Sequence, residues 1–255
     1  MLVDTHCHLD ASPLISRLPA VLATGREAGV AAYLIPGVSP DGWADIACLA
    51  AEHGGVYPAF GLHPMLAECH DDSILERLHT YAGLAVAIGE IGLDYMVDTP
   101  RENQRAAFRA QLRLAVEMGL PVMIHCRRAF RDLMAILREE GVQRVGGVMH
   151  AFSGSPETAR ECIGLGMYIS AAGTVTYHNA VKPLEVVRSV PLECLLLETD
   201  APDMTPEPHR GKPNEPAFLV ETARKVAEIK GVTIAELARV TTANAERLFR
   251  ISIKS

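Results

Sequence analysis

The sequence has 255 residues, of which 49% are hydrophobic and 22% are charged. This balance is typical of globular proteins and excludes a wholly disordered chain, and the length is sufficient for a large buried core. Lysine and arginine number 24 and aspartate and glutamate 31, which gives a formal net charge of −7. An extended basic surface that coats duplex nucleic acid is therefore not expected, since such binding needs many Lys and Arg contacts to phosphate.

The six cysteines are scattered along the chain without a CxxC pair, and we interpret them as reduced thiols. The N-terminal residues lack the basic segment of a signal peptide, and no apolar stretch reaches the roughly 18 residues of a membrane span. We therefore expect a cytoplasmic protein that makes no membrane contact. No feature of the sequence indicates an obligatory protein partner.

Short aliphatic runs recur at near-regular intervals, as expected of strands that are covered on both faces. There are eight of them: Met1–Val3, Ala31–Ile35, Val56–Phe60, Ala85–Ile88, Val122–Ile124, Val145–Met149, Tyr168–Ala172 and Leu195–Leu197. The segments between them have helical patterns, and several begin with a hydroxyl residue before proline, as in Ser39-Pro40 and Ser155-Pro156.

Eight such strands alternating with helices predict a (β/α)8 TIM barrel, with one domain over residues 1–255 and an extra C-terminal helix after Thr233. A doubly wound open sheet is the alternative fold. That fold normally has a glycine-rich phosphate loop after an early strand, whereas the first strand here leads into Thr5-His6-Cys7-His8.

Imidazole and carboxylate side chains fall where the predicted strands end. The histidines at these positions are His6, His8, His63, His125 and His150, while Glu90 ends the fourth strand and Asp200 ends the eighth. Because the carboxyl ends of barrel strands meet at one rim, we expect these residues to share a pocket. A buried carboxylate without a cation would carry a large desolvation cost, so metal binding accounts for their presence.

Six protein ligands exceed the three that a catalytic zinc ion normally takes, and they suit two ions. The natural division gives His6, His8 and Asp200 to one ion and His125 and His150 to the other, with Glu90 as the bridge. Mixed imidazole and carboxylate ligands admit Zn²⁺, Mn²⁺, Co²⁺ or Mg²⁺, and the sequence does not choose among them.

The motifs around these residues resemble those of the TatD-type metal-dependent DNases, which belong to the amidohydrolase-like barrels. The motifs are Asp4-Thr5-His6-Cys7-His8, Gly61-Leu62-His63-Pro64, Gly89-Glu90-Ile91-Gly92-Leu93-Asp94, His125-Cys126-Arg127, His150-Ala151-Phe152-Ser153-Gly154 and Glu198-Thr199-Asp200-Ala201-Pro202. The resemblance covers nearly the whole chain. The stretches Gly173–Tyr177 and Ala201–Met204 look closest to the bacterial YjjV-like branch.

The resemblance implies a phosphodiesterase that acts on DNA with two divalent metal ions at the six positions named above. In that mechanism the metals generate a hydroxide, and the residues expected to be catalytic are Glu90, between the metals, and Asp200, which orients the nucleophile and takes its proton. Glu198 is a candidate for orienting a histidine, and a capping or salt-bridged role for it is equally plausible.

Four further residues are candidates for substrate binding. Arg127 follows His125 by two residues, points to the same side and is expected to hold a non-scissile phosphate; His63 and Arg210 are further candidates near the rim. Tyr177 follows the seventh strand and could stack on a base or simply pack at the rim. Arg128 and Lys212 are interpreted as solvated surface charges.

The preferred hypothesis is a deoxyribonuclease or other phosphodiesterase that cleaves single strands or 3′ ends. The alternative enzyme is a hydrolase of the same fold that acts on C–N or carboxylic-ester bonds, such as an aminoacyl-ester deacylase. A third hypothesis is an inactive barrel that serves as a binding scaffold, and the complete set of six ligands argues against it.

Overall fold

The structure is a computed structural model that describes residues 1–253. Eight parallel strands form one sheet in which each strand pairs with the next along the chain. They are β1 (Leu2–Asp4), β2 (Val30–Pro36), β3 (Val56–Phe60), β4 (Ala87–Asp94), β5 (Val122–Arg127), β6 (Gly147–Met149), β7 (Met167–Ala171) and β8 (Leu195–Leu197). Each of the eight predicted runs overlaps one of these strands.

The helices lie between consecutive strands and after β8. They are α1 (Leu18–Glu27), α2 (Trp43–Glu52), α3 (Asp72–Ala82), α4 (Arg101–Met118), α5 (Phe130–Glu139), α6 (Pro156–Gly164), α7 (Lys182–Ser189), α8 (Leu219–Lys230) and α9 (Ile234–Phe249). The (β/α)8 barrel with an extra C-terminal helix is thus confirmed. Thr233 caps α9 by accepting a hydrogen bond from the backbone of Glu236. Among the described helices, none is both long and apolar enough to cross a membrane.

The single-domain extent of 1–255 stays a prediction. Its last two residues, Lys254 and Ser255, lie outside the described part of the chain.

The inside of the barrel is filled by inward-facing aliphatic side chains. Met123 on β5 and Leu196 on β8 belong to this cluster, and both are fully buried. Leu248 and Phe249, at the end of α9, pack into the same cluster and so extend the interior core beyond the strands. Because strand side chains alternate between two faces, His125 lies on the same side of β5 as Met123 but nearer the carboxyl end. The apolar core therefore occupies the barrel below the level of the histidines.

The fourth strand differs from its predicted boundary. The sequence predicted a strand that ends near Glu90, but β4 continues to Asp94, and Glu90 lies within it. The pairing of β4 with β5 is irregular between Ile88 and Ile91, so the strand bulges at Gly89 and Glu90. A bulge re-aims the side chain that it carries. Gly89 has no room for a side chain, because a Cβ atom there would lie 2.5 Å from the Cβ of Met123.

Hydrogen bonds join the ends of the first and last strands, next to His6 and Asp200. The backbone N–H of Thr5 donates to the carbonyl of Leu197 at 3.0 Å. The buried carboxylate of Asp4 accepts from the backbone of Thr199 at 2.9 Å and from its hydroxyl at 2.5 Å. Burial raises the pKa of Asp4 to about 7, although the Thr199 hydrogen bonds act in the opposite direction. This contact joins the strand that precedes His6 to the segment that carries Asp200.

We expect Thr199→Val to lower the free energy of unfolding by about 1–3 kcal/mol, because the substitution leaves a buried oxygen of Asp4 without its hydroxyl donor. It also removes the oxygen that accepts from the backbone of Ala201. Urea denaturation measures the effect. Thr199→Ser keeps the hydroxyl and is the matched control. Equal stability of the valine variant and the wild type would show that the junction of the first and last strands does not depend on this hydrogen bond.

Candidate metal centre

The carboxylate of Glu90 lies at the centre of the barrel mouth, and its two oxygens face different histidines. Oε1 is 2.9 Å from Nδ1 of His125 and 3.6 Å from Nε2 of His150. Oε2 is 3.4 Å from Nε2 of His6 and 4.0 Å from Nε2 of His8. One carboxylate thus stands between two pairs of imidazoles. The bulge in β4 places it there.

Asp200 lies on the His6 and His8 side of this cluster. Its Oδ1 is 3.7 Å from Nε2 of His6, 3.6 Å from Nε2 of His8 and 4.0 Å from Nε2 of His150. His6, His8 and Asp200 form one group of ligand atoms close enough to hold a single ion, and His6, Glu90 and His150 form another. The structure therefore brings all six residues predicted as metal ligands together at one mouth.

His63, predicted as a substrate-binding residue, also lies in this cluster. Its Nε2 is 3.7 Å from Oε1 of Glu90, and with Glu90 and His125 it forms a third group of ligand atoms. Its Nδ1 accepts a hydrogen bond from the backbone of Met65 at 3.2 Å. Burial lowers the pKa of His63 to about 4, so the ring is neutral near pH 7. A neutral ring that accepts at Nδ1 has its proton on Nε2, which then faces the cluster as a donor.

A carboxylate lies close to the outer nitrogen of each of two histidines. Oε1 of Glu198 is 3.1 Å from Nδ1 of His150, so Glu198 lies beside one of the candidate metal-binding histidines. Oδ2 of Asp94 is 3.2 Å from Nε2 of His125. A carboxylate in this position fixes the ring orientation and the tautomer of a histidine.

The role of Asp94 was missed by the sequence reasoning, although a signal for it was present. Asp94 is four residues beyond Glu90, and alternate residues of a strand share a face. Its backbone is held in turn by Gln104, whose amide group both accepts from the N–H and donates to the carbonyl of Asp94.

The two central carboxylates are buried, and among residues 1–253 the basic side chains that face them are histidines. Within residues 1–253, no lysine or arginine forms an ion pair with Glu90 or Asp200. Burial alone would raise their pKa values, but the facing imidazoles hold the pKa of Glu90 well below its usual range and lower that of Asp200. Both carboxylates are thus ionised in a desolvated pocket, where a cation is favourable.

The histidines differ in their response to this environment. Burial lowers the pKa of His6, and both of its ring nitrogens are buried without a hydrogen-bond partner. Burial also disfavours charge on His150, yet Glu198, Asp200 and Glu90 raise its pKa to about 10. A buried ring nitrogen without a donor or acceptor is costly unless another group occupies its lone pair. The donor set therefore fits divalent metal ions.

The backbone at the mouth has left-handed residues after three of the strands, and Arg128 after β5 is one of them. Ala151 has φ of 39° and Asp200 has φ of 57°, and neither is a glycine. Such conformations persist where the surrounding contacts enforce them, and they concentrate at functional sites. At Asp200 the backbone N–H donates to the carbonyl of His6 at 2.9 Å.

The remaining predicted substrate-binding residues lie around the rim. Arg127 ends β5, and its side chain is exposed. Arg210 lies over the ring of Tyr177, with its guanidinium carbon 4.3 Å from the ring centroid. The guanidinium of Arg210 also lies 3.8 Å from the carboxylate of Glu207. The structure therefore joins Arg210 and Tyr177 to each other, with one face of the tyrosine ring covered by the arginine.

Comparison with known proteins agrees with this geometry. Residues 3–250 match the family model described as TatD related DNase. The metal-dependent hydrolase YabD of Bacillus subtilis is 42% identical, over 99% of this chain and 100% of its own length. The metal-dependent hydrolase YjjV of Escherichia coli is 37% identical, over 98% of each chain.

The solved structures include YjjV, a TatD homologue from Escherichia coli. Its crystal structure superimposes with a TM-score of 0.93 at 36% identity and covers 98% of each chain. The expected likeness to YjjV is confirmed, and the identity to YabD shows that the chain is also similar to other curated relatives. The chain therefore belongs to the TatD-related DNase family of metal-dependent hydrolases.

Proposed function

We propose that the protein is a divalent-metal-dependent phosphodiesterase that cleaves DNA, preferentially at single strands or 3′ ends. The observation that carries the proposal is the burial of two ionised carboxylates, Glu90 and Asp200, among histidines at the barrel mouth. Two cations there would offset these charges and attract a phosphodiester. Membership of a family described as TatD-related DNases favours DNA as the substrate.

Two metal ions fit the arrangement of ligand atoms. His6, His8 and Asp200 would hold one ion, and His125 and His150 the other. Glu90 would bridge them, because its Oε2 faces the first set of histidines and its Oε1 the second. Ions bound there would polarise phosphoryl oxygens and lower the pKa of a water molecule. Zn²⁺, Mn²⁺, Co²⁺ and Mg²⁺ are all compatible with these ligands.

The side chains around the ions have separate roles in the proposed reaction. Asp200, which has one carboxylate oxygen near the histidines, would orient the attacking water and accept its proton. Nε2–H of His63 would donate to a phosphoryl oxygen or to the departing oxygen. Glu198 and Asp94 would keep His150 and His125 in place.

The rim residues would bind the rest of the strand. Arg127 would hold a phosphate that is not cleaved, through the planar fork of its guanidinium group. Arg210 and Tyr177 would act together, since the arginine already stacks on the ring. The exposed guanidinium plane of Arg210, supported by the ring of Tyr177, would then be available to a base.

We expect about two divalent ions per chain at saturation, because the two oxygens of Glu90 face different pairs of histidines. Elemental analysis after reconstitution with excess metal measures the number. His8→Ala should lower the content at a fixed metal concentration, whereas His79→Ala, which removes an exposed histidine of α3, should leave it unchanged. A maximum of one ion per chain in the wild type would contradict the binuclear assignment.

We expect Glu90→Gln and Asp200→Asn each to lower kcat by at least about 10²-fold, the usual scale for a positioned acid–base or electrostatic group. Steady-state kinetics with saturating metal measures the loss, and circular dichroism checks that the barrel still folds. Asp98→Asn is the matched control, since Asp98 is an exposed carboxylate in the loop after β4. Turnover near that of the wild type in either site variant would refute the assigned roles.

The substrate is tested by a hydrolysis panel with metal-supplemented protein: single-stranded DNA, blunt duplex DNA, RNA, a lactam and an aminoacyl ester. We expect single-stranded DNA to be cleaved fastest, because the scissile phosphate must enter a recessed mouth closely. Faster hydrolysis of the lactam or the ester would favour the alternative on C–N or carboxylic-ester bonds. Equal cleavage of single strands and blunt duplex would show that the mouth does not select the substrate.

A further inference from the structure

A groove of about 440 Å³ lies beside the metal centre, between the end of β5 and the beginnings of α6 and α7. Three cationic residues line it, Arg127, Arg128 and Lys182, together with the hydroxyl residues Ser153 and Ser155. Among its lining residues in the described part of the chain, none is acidic. The groove therefore carries a local excess of positive charge in a protein of net charge −7, although Asp94 lies beside Arg127 as its partner on the neighbouring strand.

Within residues 1–253, the basic side chains of this groove form no ion pair that would stabilise the fold. Arg105, Arg109 and Arg113 on α4 illustrate the contrast, since each of them forms an ion pair with a carboxylate. The side chains of the three groove residues are exposed, and within 1–253 they form no ion pair or side-chain hydrogen bond. Their charges therefore remain available to a ligand.

Two of these residues occupy backbone positions that are unfavourable for their side chains. Lys182 is the first residue of α7, and the positive end of a helix dipole disfavours a cation at that position. Arg128 follows β5 with φ of 57°, a left-handed conformation that is unfavourable for a residue with a long side chain. Both residues nevertheless line the groove and add positive charge to it.

The groove adjoins the candidate metal centre at Arg127. Arg127 is two residues beyond His125 on the same face of β5, so their Cα atoms are separated by about 6.6 Å along the strand. This separation is comparable with the spacing of neighbouring phosphates in a polynucleotide. Ser155 also caps α6 at the groove, and this helix presents its positive end there.

We propose that this groove binds the phosphates of a single DNA strand beyond the phosphate at the metal centre, so that the protein acts on oligonucleotides in preference to isolated phosphate esters. Arg127 holds the phosphate nearest the metal centre, and Arg128 and Lys182 hold the following part of the strand. This inference rests on the proposed function, and it replaces the interpretation of Arg128 as a solvated surface charge.

The test uses a double variant, Arg128→Glu with Lys182→Glu, in the metal-loaded protein. Its substrates are a labelled single-stranded octanucleotide and a dinucleotide with the same scissile linkage. We expect kcat/KM on the octanucleotide to fall at least about 10-fold and that on the dinucleotide less than about 2-fold, since only the longer substrate reaches the groove. The salt dependence on the octanucleotide should become shallower by about 1.4 in log–log slope, for two lost contacts to a single strand.

Arg26→Glu with Arg239→Glu is the matched control. It changes the net charge by the same amount at two exposed arginines, on α1 and α9, and both substrates should be cleaved as by the wild type. If the charge reversal unfolds the groove variant, Arg128→Gln with Lys182→Gln should show the same selective loss with a smaller magnitude. An equal loss on both substrates, or no loss on the octanucleotide, would overturn the inference.

Failure of the proposed function is recognised separately. If the wild type cleaves neither substrate, binding of the labelled octanucleotide to the metal-loaded protein, measured by fluorescence anisotropy, decides the role of the groove. Binding at least about 10-fold weaker in the groove variant than in the control variant would support it. Equal binding by the two variants would refute it.

Discussion

Burying the carboxylates of Glu90 and Asp200 at the mouth of the barrel is unfavourable unless positive charge faces them. The chain supplies imidazoles for this purpose, and no lysine or arginine pairs with these carboxylates within the described residues. Imidazole nitrogen can bind either a proton or a metal ion, so the pocket suits an exchangeable cation. Two neighbouring elements support this arrangement. The bulge in β4 directs the side chain of Glu90 towards the histidines, and the apolar core fills the barrel beneath them.

The charge of the lining residues changes from the barrel mouth to the groove beside it. The centre combines carboxylates with histidines, while the adjoining groove has three cations and no acidic lining residue. Both surroundings would suit the proposed polynucleotide substrate, whose reacting phosphate would approach the metal ions and whose other phosphates would meet fixed positive charge. An overall charge of −7 does not prevent this, because Arg127, Arg128 and Lys182 supply positive charge locally at the groove.

The barrel could be predicted from the sequence because each strand is an aliphatic run flanked by helix signals. The clustering of the six candidate ligands could be predicted because polar residues end those runs. The boundary of β4 was harder, since Gly89 and Glu90 interrupt its apolar pattern and resemble a loop. The position of Asp94 beside the site could have been predicted, because alternate residues of a strand share a face and Asp94 is four residues beyond Glu90. The stacking of Arg210 on Tyr177 could not, because it depends on the path of the long loop after β8. Sequence spacing carries no information about such loop contacts.

The hydrogen bonds between Asp4 and Thr199 join residues 195 positions apart. Ligands from the first few residues of the chain therefore acquire their partner only after nearly all of the barrel has been synthesised. A ribosome-bound chain that has not yet emerged past β8 has His6 and His8 but lacks the third member of their group. The candidate metal centre is therefore complete only when the whole barrel has formed, because its residues come from both ends of the sequence.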